Sequence, residues 1–287
     1  MKNVILAPNP YRDKHFQTVR EALAILKGAG VYAKVCLPFE VDKSFELPKD
    51  LHFSRLDREI PNAEMIVCFG GDGTILHMAK TAARKGIPIL GVNNGTMGFM
   101  AELECTEMDK LAKIATDEFT LDTRMMLDVV VQRDRDIIYH DICLNDVAIT
   151  KGSVGRIVHL NVKCDGVSAM ECGGDGIVVS TPTGSTAYNL SAGGPIVEPD
   201  ARNIIITPVC AHALITRSMV MSDKRNVTVT MVKNARRNAF LSVDGGRAIR
   251  MNMGDTAIIK KSRLETKLVR LNDRSFYDIL NTKFQNN

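Results

Sequence analysis

The most constraining feature of the sequence is a Gly-Gly-Asp-Gly stretch at 70–73, which lies between an apolar run at 65–69 and an amphipathic pattern at 74–85. The apolar run predicts a buried strand, and the amphipathic pattern predicts a helix that ends at Gly86. A strand, a glycine turn and a helix in this order point backbone N–H groups and the positive end of the helix dipole at a phosphate. Glycine suits such a turn because a Cβ would block the close approach of the backbone to a ligand.

Asp72 is unusual in a phosphate-binding turn, because a carboxylate repels a phosphate. Its presence is explained if the carboxylate holds Mg²⁺, or if it accepts the proton of a hydroxyl group beside the phosphate. The alternative is an ordinary tight turn in which Asp and Thr cap the helix that follows. The turn by itself leaves both interpretations open.

Composition excludes several classes of partner. The chain has 287 residues, a net charge of +4 and no run of Lys or Arg, so nucleic acid is not an expected partner, whereas a small anionic substrate is compatible. No apolar segment approaches the ~20 residues that span a membrane, and the N-terminus has no signal-peptide pattern. The seven cysteines have no Cys-x-x-Cys or Cys/His ligand spacing, which predicts free thiols in a reducing cytoplasm and no dedicated metal site.

Residues 1–121 are predicted to form a Rossmann-like α/β domain. Short apolar runs alternate there with segments of helical periodicity, and these runs, interpreted as strands, lie at 4–7, 31–37, 65–69 and 87–92. Such alternation predicts a parallel sheet whose ligands bind at the carboxyl ends of the strands. The glycine turn at 70–73 and a second glycine-rich stretch at 93–99 each follow a strand of this set.

Residues 122–262 are predicted to form a mainly antiparallel, all-β domain. Apolar and polar residues alternate there in short runs, and Asp165-Gly166 is a typical two-residue hairpin turn. Further strands are predicted at 176–180, 203–209, 226–232, 239–243, 256–260 and 266–271. The tail, 263–287, contains a weakly helical stretch at 275–284, and we expect it to pack back on the first domain.

Three other stretches contain more glycine and polar groups than the fold alone requires. The longest, 173–195, begins with a second Gly-Gly-Asp-Gly and continues with many Ser and Thr hydroxyls, which are small donors for phosphate and ribose oxygens. The second is Leu-Asn-Asp-Val at 144–147, whose amide and carboxylate suit an adenine edge or ribose hydroxyls. The third is the stretch at 93–99. For each of them the alternative is an ordinary loop or turn.

Taken together, these stretches resemble the NAD kinase family over essentially the whole chain. The resemblance rests on the motifs at 70–74, 94–99 and 144–146, and above all on the Asp-Gly to Gly-Pro run at 175–195. The Ser-Val-Asp-Gly sequence at 242–245 is similar to a late strand and turn of the family. The first motif alone is less specific, since diacylglycerol-type lipid kinases share it and phosphofructokinases have a similar turn.

The resemblance implies an activity. It is the transfer of the γ-phosphoryl group of ATP, or of another polyphosphate donor, to the 2′-hydroxyl of the adenosine ribose of NAD, with NADP as the product. It further implies Mg²⁺ or another divalent cation as the companion of ATP. The expected architecture is an α/β domain followed by an NAD-binding β-rich domain, assembled as a homodimer or homotetramer.

The resemblance also assigns roles to residues. Asp72 is implied to be the catalytic residue, which orients the reacting hydroxyl and accepts its proton, and Gly73 lies beside it. His77 occupies a position where the family has His, Lys or Arg, and it is either a phosphate-end residue or a surface residue of the helix. The residues implied to contact the dinucleotide are Asn145, Asp146, Arg156, Asp175, Thr186, Ala187, Tyr188, Asn189, Leu190 and Ser191.

The sequence departs from the family pattern at three positions. Asp146 stands where the family usually has Glu, so its hydrogen bond to the ribose is longer or water-mediated. Gly173 stands where an Arg often precedes the Asp-Gly pair, so a phosphate contact is missing or is supplied by Arg156. Gly246 stands where a Gln often follows the late turn.

Two other functions remain open from the sequence. A lipid or sugar kinase could share only the turn at Asp72, but no cluster of acidic and basic residues suits a sugar phosphate, and 5% aromatic residues without Trp do not suit a lipid-binding surface. A non-catalytic sensor of NAD(H) or NADPH is the second alternative. Asp72 argues against it, because a pure binding pocket gains nothing from a carboxylate that faces a phosphate.

Overall fold

The computed structural model describes residues 2–95, 98–152, 156–212, 216–232 and 238–285. Its strands are β1 Asn3–Pro8, β2 Tyr32–Val35, β3 Met65–Gly70, β4 Ile89–Asn93, β5 Leu103–Glu104, β6 Thr120–Arg133, β7 Asp136–Cys143, β8 Asp146–Lys151, β9 Val158–Cys164, β10 Val167–Gly174, β11 Gly176–Ser180, β12 Asn203–Val209, β13 Met219–Ser222, β14 Val227–Met231, β15 Ala239–Val243, β16 Ile249–Met251 and β17 Thr256–Arg270. Its α-helices are α1 Gln17–Gly28, α2 Leu56–Glu59, α3 Asp72–Lys85, α4 Tyr188–Ser191 and α5 Phe276–Gln285. Short 3₁₀ helices lie at Lys14–Phe16, Ile60–Asn62, Cys105–Thr116 and Thr183–Thr186.

The chain divides into two compact units. The first comprises Met1–Thr123 together with Thr266–Asn287, and the second comprises Arg124–Glu265. The sequence places the corresponding domain boundaries after residues 121 and 262. The first unit is therefore discontinuous in sequence, because its last segment follows the whole of the second unit.

The first unit is built on a parallel sheet with the strand order β17–β4–β3–β1–β2, and β5 pairs with β4. All six residues of β3 are buried, as expected of a strand covered on both faces. The carboxyl ends of β1, β3 and β4 lie at one edge of the sheet, because the strands are parallel and in register. The glycine turn at 70–73 and the stretch at 93–99 both follow this edge, as the sequence predicts.

The segment after residue 265 is an integral part of the first unit. Leu268 of β17 pairs with Ile89 of β4. Arg270 forms ion pairs with the buried Glu102, at 3.1 Å, and with Asp122, at 2.8 Å. These bonds lie largely out of solvent, so they fix the start of the tail against the first unit.

The second unit is antiparallel. One sheet has the order β13–β12–β11–β8–β15–β16, and a second group pairs β10, β9, β14 and β17 in this order. A core of apolar side chains fills this unit, among them Leu160, Ile177 and Leu241. The predicted Asp165-Gly166 turn joins β9 to β10, and both residues have positive φ, 49° and 85°, as a primed hairpin turn requires.

The α/β unit with a parallel sheet and the antiparallel β unit confirm the predicted fold class. One strand prediction is wrong in detail, since the segments predicted at 256–260 and 266–271 fall on the single strand β17, which ends at Arg270. β17 continues through the residues 261–265 that the prediction left between the two strands. None of the helices within the described ranges has the length and apolar character that a membrane crossing needs.

Candidate active site

The Gly-Gly-Asp-Gly sequence at 70–73 connects the carboxyl end of β3 to the first turn of α3. Gly70 has a φ of 156°, and a Cβ at this position would collide with the hydroxyl of Thr74. The Gly70 carbonyl accepts a hydrogen bond from the N–H of Asn94, at 2.8 Å, which ties the end of β3 to the end of β4. The helix α3 begins at Asp72, which has a glycine on each side.

The carboxylate of Asp72 is held by two backbone N–H groups. Phe99 donates to Oδ2 at 2.8 Å, and Met100 donates to Oδ1 at 3.1 Å. Gly98 passes so close that a Cβ on it would overlap Oδ1 of Asp72. An ionised carboxylate has about four acceptor positions, so these two bonds leave acceptor capacity on both oxygens. Asp72 is thus fixed in orientation and still able to accept a hydrogen bond from a hydroxyl group.

A cavity of about 390 Å³ opens beside Asp72 at the carboxyl ends of β1, β3 and β4. Its wall combines bare glycine backbone, amide side chains, the first turn of a helix and cationic side chains. The lining residues are Asn9, Arg12, Phe39, Gly70, Gly71, Asp72, Gly73, Thr74, His77, Asn93, Asn94, Gly95, Gly98 and Lys283. Unpaired N–H groups at a helix N-terminus together with cations suit a polyphosphate.

Two asparagines at the end of β4 form part of this wall. The Asn93 amide donates to Oε2 of Glu104 at 2.9 Å, while its own Oδ1 is buried without a partner among the described residues. The thiol of Cys105 donates to Oδ1 of Asn94 at 3.2 Å. Glu104 and Cys105 therefore fix the orientations of the two side-chain amides. Residues 96 and 97 of the same motif lie outside the described residues.

The structure adds residues to the cavity that sequence reasoning missed. Arg12 follows the carboxyl end of β1, which is the edge where a parallel sheet binds ligands, so its place in the sequence could have predicted a role in the site. Lys283 lies in the tail, and no sequence pattern indicated that it reaches the cavity. Of the predicted residues, Gly73 and His77 line the cavity beside Asp72, and the exposed His77 ring lies 4.8 Å from the Phe39 ring, centroid to centroid.

In the second unit, the motif at 144–146 is held by Asp244. The Asp244 carboxylate accepts hydrogen bonds from the N–H groups of Leu144, Asn145 and Asp146, at 2.9, 2.8 and 3.2 Å. Its own N–H donates to the Asp146 carbonyl at 2.9 Å. The late strand and turn at 242–245 therefore serve to hold the backbone of this motif.

Asp146 is almost fully buried, and its pKa is raised from 3.8 to about 7, first by burial and then by the charge of Asp244. A carboxyl group that titrates near neutrality can donate as well as accept a hydrogen bond. Ser180 of β11 lies opposite Asp146 in the strand register. The side-chain atoms Oδ1 of Asn145 and Oγ of Ser180 are both buried and have no hydrogen-bond partner among the described residues. Such atoms mark positions where a ligand or an ordered water completes the hydrogen bonding.

The Thr/Ser-rich segment packs directly on this motif. The N–H of Thr181 donates to the Asn145 carbonyl at 2.9 Å, and the Thr181 hydroxyl donates to the Leu144 carbonyl at 2.6 Å. A Cβ on Gly184 would collide with the Asn145 carbonyl. The backbone at Gly184 lies directly against the backbone at Asn145, so position 184 has no room for a side chain.

Asn189 is wholly buried in this segment. Its amide donates to the carbonyls of Ser185 and Pro195, both at 2.9 Å, and its Oδ1 accepts a hydrogen bond from the Thr207 hydroxyl at 2.6 Å. Both amide N–H groups are used inside the chain. This geometry uses the Asn189 side chain to hold the segment in place, and its predicted contact with a dinucleotide stays a prediction.

The neighbouring Tyr188 is 39% exposed. Burial is the main cause that raises the pKa of the Tyr188 hydroxyl, and the charges of Cys210, Asp146 and Asp175 raise it further. The Asp175 carboxylate forms an ion pair with Lys151 at 2.7 Å.

The other predicted residues occupy less defined positions. Thr186, Ala187 and Leu190 are half-buried around Tyr188, and Ser191 is exposed at the end of α4. Arg156 is exposed, and no hydrogen bond or ion pair links it to the part of the chain that the structure describes. The predicted site residues therefore form two sets, with Asp72, Gly73 and His77 in the first unit and the others in the second.

Comparison with known proteins identifies the family. The family model described as the ATP-NAD kinase N-terminal domain matches residues 4–119, and the model of the ATP-NAD kinase C-terminal domain matches residues 144–271. The NAD kinase of Acetivibrio thermocellus is 39% identical over 284 residues, which cover 99% of this chain and 97% of that protein. The NAD kinase of Natranaerobius thermophilus is 45% identical over 222 residues, 77% of each chain.

Solved structures share the fold. A yeast NADH kinase complexed with NADH matches with a TM-score of 0.85 at 23% identity, over 100% of this chain and 88% of the other. An NAD kinase from Archaeoglobus fulgidus in complex with ATP matches with a TM-score of 0.74 at 24% identity, over 99% of each chain. At these identities the likeness establishes the fold.

The two matched domains, in the order that the two units have along the chain, define a nucleotide-dependent kinase. The chain belongs to the NAD kinase family. The family resemblance stated from the sequence motifs is thereby confirmed.

Proposed function

We propose that this protein transfers the γ-phosphoryl group of ATP to the 2′-hydroxyl of the adenosine ribose of NAD and releases NADP and ADP. The observation that carries the proposal is the carboxylate of Asp72, which two backbone N–H groups fix at the wall of a polar cavity. Family membership supports the substrates, since the relatives are named NAD kinases and the solved neighbours bind ATP or NADH.

The wall of the cavity supports binding of the donor. The first turn of α3 offers N–H groups that the helix itself does not use, and Arg12 adds a fixed positive charge. Phosphoryl transfer depends mainly on positioning and on neutralisation of the phosphate charge. His77 lines the same wall, so an imidazolium at this position would add positive charge beside the donor.

The chemical step assigns one role to Asp72. The 2′-oxygen forms a bond to the γ-phosphorus, the bond from that phosphorus to the β–γ bridging oxygen breaks, and ADP leaves with the electron pair. The hydroxyl proton passes to the Asp72 carboxylate. Because the transition state is loose, little proton removal is needed early, so Asp72 orients the hydroxyl first and accepts the proton late.

Mg²⁺ fits this site as the companion of ATP. Within the described ranges, no three His, Cys, Asp or Glu side chains cluster as a metal site. Mg²⁺ is typically held by one or two carboxylates together with substrate phosphates and water, and Asp72 offers one such carboxylate at the wall of the cavity. A bound ion would neutralise phosphate charge during transfer.

The second unit supports recognition of NAD. Asp146, with a pKa near neutrality, is suited to exchange hydrogen bonds with ribose hydroxyls, and the side-chain oxygen of the adjacent Asn145 has no partner among the described residues. Tyr188 offers a half-exposed ring on which a base can stack. We include a cytoplasmic homodimer or homotetramer in the proposal on the strength of the family resemblance, and light scattering of the purified protein measures the assembly.

The test is an assay of NADP formation with NAD, ATP and MgCl₂. We expect NADP with the parent protein, none when EDTA removes Mg²⁺, and almost none with Asp72→Asn. Parallel reactions with inorganic polyphosphate or with NADH identify the donor and the acceptor. If no combination gives a phosphorylated product while NAD raises the melting temperature, the proposal is wrong and a non-catalytic NAD sensor is favoured.

A further inference from the structure

The helix of the tail contributes a cation to the Asp72 cavity. Lys283 of α5 lines this cavity, and its ammonium lies 4.8 Å from the centroid of the Phe99 ring. Phe99 is the same residue whose N–H donates to Oδ2 of Asp72. Within the described residues, the Lys283 ammonium has no carboxylate at ion-pair distance, so its charge is available to a ligand.

The position of α5 is fixed by contacts on its buried side. The Phe276 ring lies 6.2 Å from the Phe99 ring, centroid to centroid, and Ile279 is 5% exposed. Just before the helix, Asn272 accepts a hydrogen bond from Lys110 at 2.6 Å. Lys283 therefore belongs to a helix that is anchored against the cavity.

The charge balance of the cavity shows what this cation can do. Among the described lining residues, Asp72 is the one carboxylate, and Arg12 and Lys283 are the permanent cations. Arg12 lies beside Gly95, at the end of β4, and Lys283 lies beside Phe99. A triphosphate carries several negative charges that must be neutralised next to Asp72, and one arginine offsets only part of them.

We propose that Lys283 is a donor-binding residue, whose ammonium moves from the face of Phe99 to a terminal phosphate of ATP when the donor binds. A charge-assisted contact with phosphate is stronger than a half-exposed cation–π contact, so the exchange is favourable. The four-carbon stem of lysine supplies the freedom for this movement. The inference rests on the proposed function, because it requires ATP in this cavity.

A purely structural role for Lys283, as a clamp on Phe99, makes different predictions. Lys283→Met keeps the apolar stem on the ring and removes the charge, whereas Lys283→Arg keeps the charge. We expect Lys283→Met to raise the KM for ATP about tenfold, with the KM for NAD and the ligand-free melting temperature unchanged. Lys283→Arg is expected to restore the KM for ATP to within about threefold of the parent value.

Two controls separate this effect from general changes. Lys85→Met removes one positive charge at the far end of α3, and Phe284→Ala changes an exposed side chain of α5, so both are expected to keep the parent KM for ATP. The rise in melting temperature with ATP and Mg²⁺ is a second measurement that needs no turnover, and it is expected to shrink in Lys283→Met only.

The inference is overturned if Lys283→Met keeps the parent KM and the parent ATP-induced shift. It is equally overturned if that variant lowers the ligand-free melting temperature and Lys283→Arg does not restore the KM. Either result leaves NADP formation by the parent intact, so the proposed function survives. Failure of the parent to form NADP contradicts the proposed function instead, and the ATP-induced shift then still tests Lys283.

Discussion

The sequence Gly-Gly-Asp-Gly occurs twice in this chain, and its two copies adopt different structures. At 70–73 it joins a parallel strand to a helix, whereas at 173–176 it joins β10 of one sheet to β11 of another. The carboxylate of Asp72 accepts two backbone hydrogen bonds in a cavity wall. The carboxylate of Asp175 forms an ion pair with Lys151.

The residues that follow each copy explain the difference. Helical periodicity after the first copy starts a helix, whose first N–H groups have no partner within the helix. The second copy is followed by Ile-Val-Val-Ser at 177–180, which forms a buried strand paired on both sides with β8 and β12. A glycine-rich turn therefore provides donors for phosphate only where the chain beyond it leaves N–H groups unpaired.

The largest expected effect separates the two carboxylates. Asp72→Asn is expected to lower kcat on the order of a thousandfold, because an amide cannot accept the hydroxyl proton. Binding of NAD should persist, since the second unit is unchanged, and the NAD-induced rise in melting temperature measures it. A kcat within tenfold of the parent value would contradict the assignment of Asp72.

The next effect tests the close approach at Gly98. The methyl group of Gly98→Ala overlaps Oδ1 of Asp72 and displaces the carboxylate from the N–H groups of Phe99 and Met100. We expect kcat to fall about a hundredfold from this misplacement. Gly28→Ala at the end of α1, where a Cβ meets no atom within 4 Å, is the matched control and should keep the parent kcat. Equal kcat values for both variants would show that the fixation of Asp72 does not matter.

A third prediction concerns stability and lies in the second unit. The pKa of Asp146 is about 7 in the folded chain and 3.8 ordinarily, so between these values the folded state binds more protons than the unfolded state. The free energy of unfolding therefore falls as pH rises through this window and becomes level above pH 7, with a loss of about 2 to 3 kcal/mol between pH 5 and pH 8. Asp146→Asn should remove this slope.

Urea unfolding at pH 5, 6, 7 and 8 measures the slope. Asp136→Asn, at an exposed carboxylate of the same unit, is the control and should retain the parent slope. Parallel curves for the parent and Asp146→Asn would mean that Asp146 is ionised in the folded chain.

The smallest effect is expected at the second Gly-Gly-Asp-Gly copy. Asp175→Asn weakens a half-exposed ion pair with Lys151, so the free energy of unfolding should change by less than about 1 kcal/mol. We expect kcat to stay within about threefold of the parent and the KM for NAD to rise about three- to fivefold. A loss of kcat comparable to that of Asp72→Asn would mean that the two copies share one chemical role.

The sequence predicted those parts of the molecule that local periodicity determines. The strand before Asp72, the helix after it and the strand at 176–180 all form as the alternation of apolar residues predicts. Family motifs located the backbone at 144–146 and the hydroxyl-rich segment that packs on it. Local periodicity and short motifs involve residues that are adjacent in the chain, so a single sequence is sufficient to predict them.

Other features depend on contacts between distant segments and could not be predicted. The N–H donors to Asp72 come from Phe99 and Met100, and Asp244 reaches back to the motif at 144–146. The buried side chain of Asn189 accepts a hydrogen bond from Thr207, which lies on a separate strand. Lys283 reaches the cavity only because Arg270 and α5 pack on the first unit. No local pattern encodes these pairings.

The discontinuity of the first unit has a consequence for biosynthesis. A ribosome completes residues 1–123 and the entire second unit before it makes β17 past residue 265 and the helix with Lys283. A nascent chain therefore carries Asp72 in a sheet that still lacks its β17 neighbour, and the partner of Glu102 is not yet translated. Messenger damage or premature termination near the 3′ end would thus release a chain with all the recognised motifs and an incomplete catalytic unit.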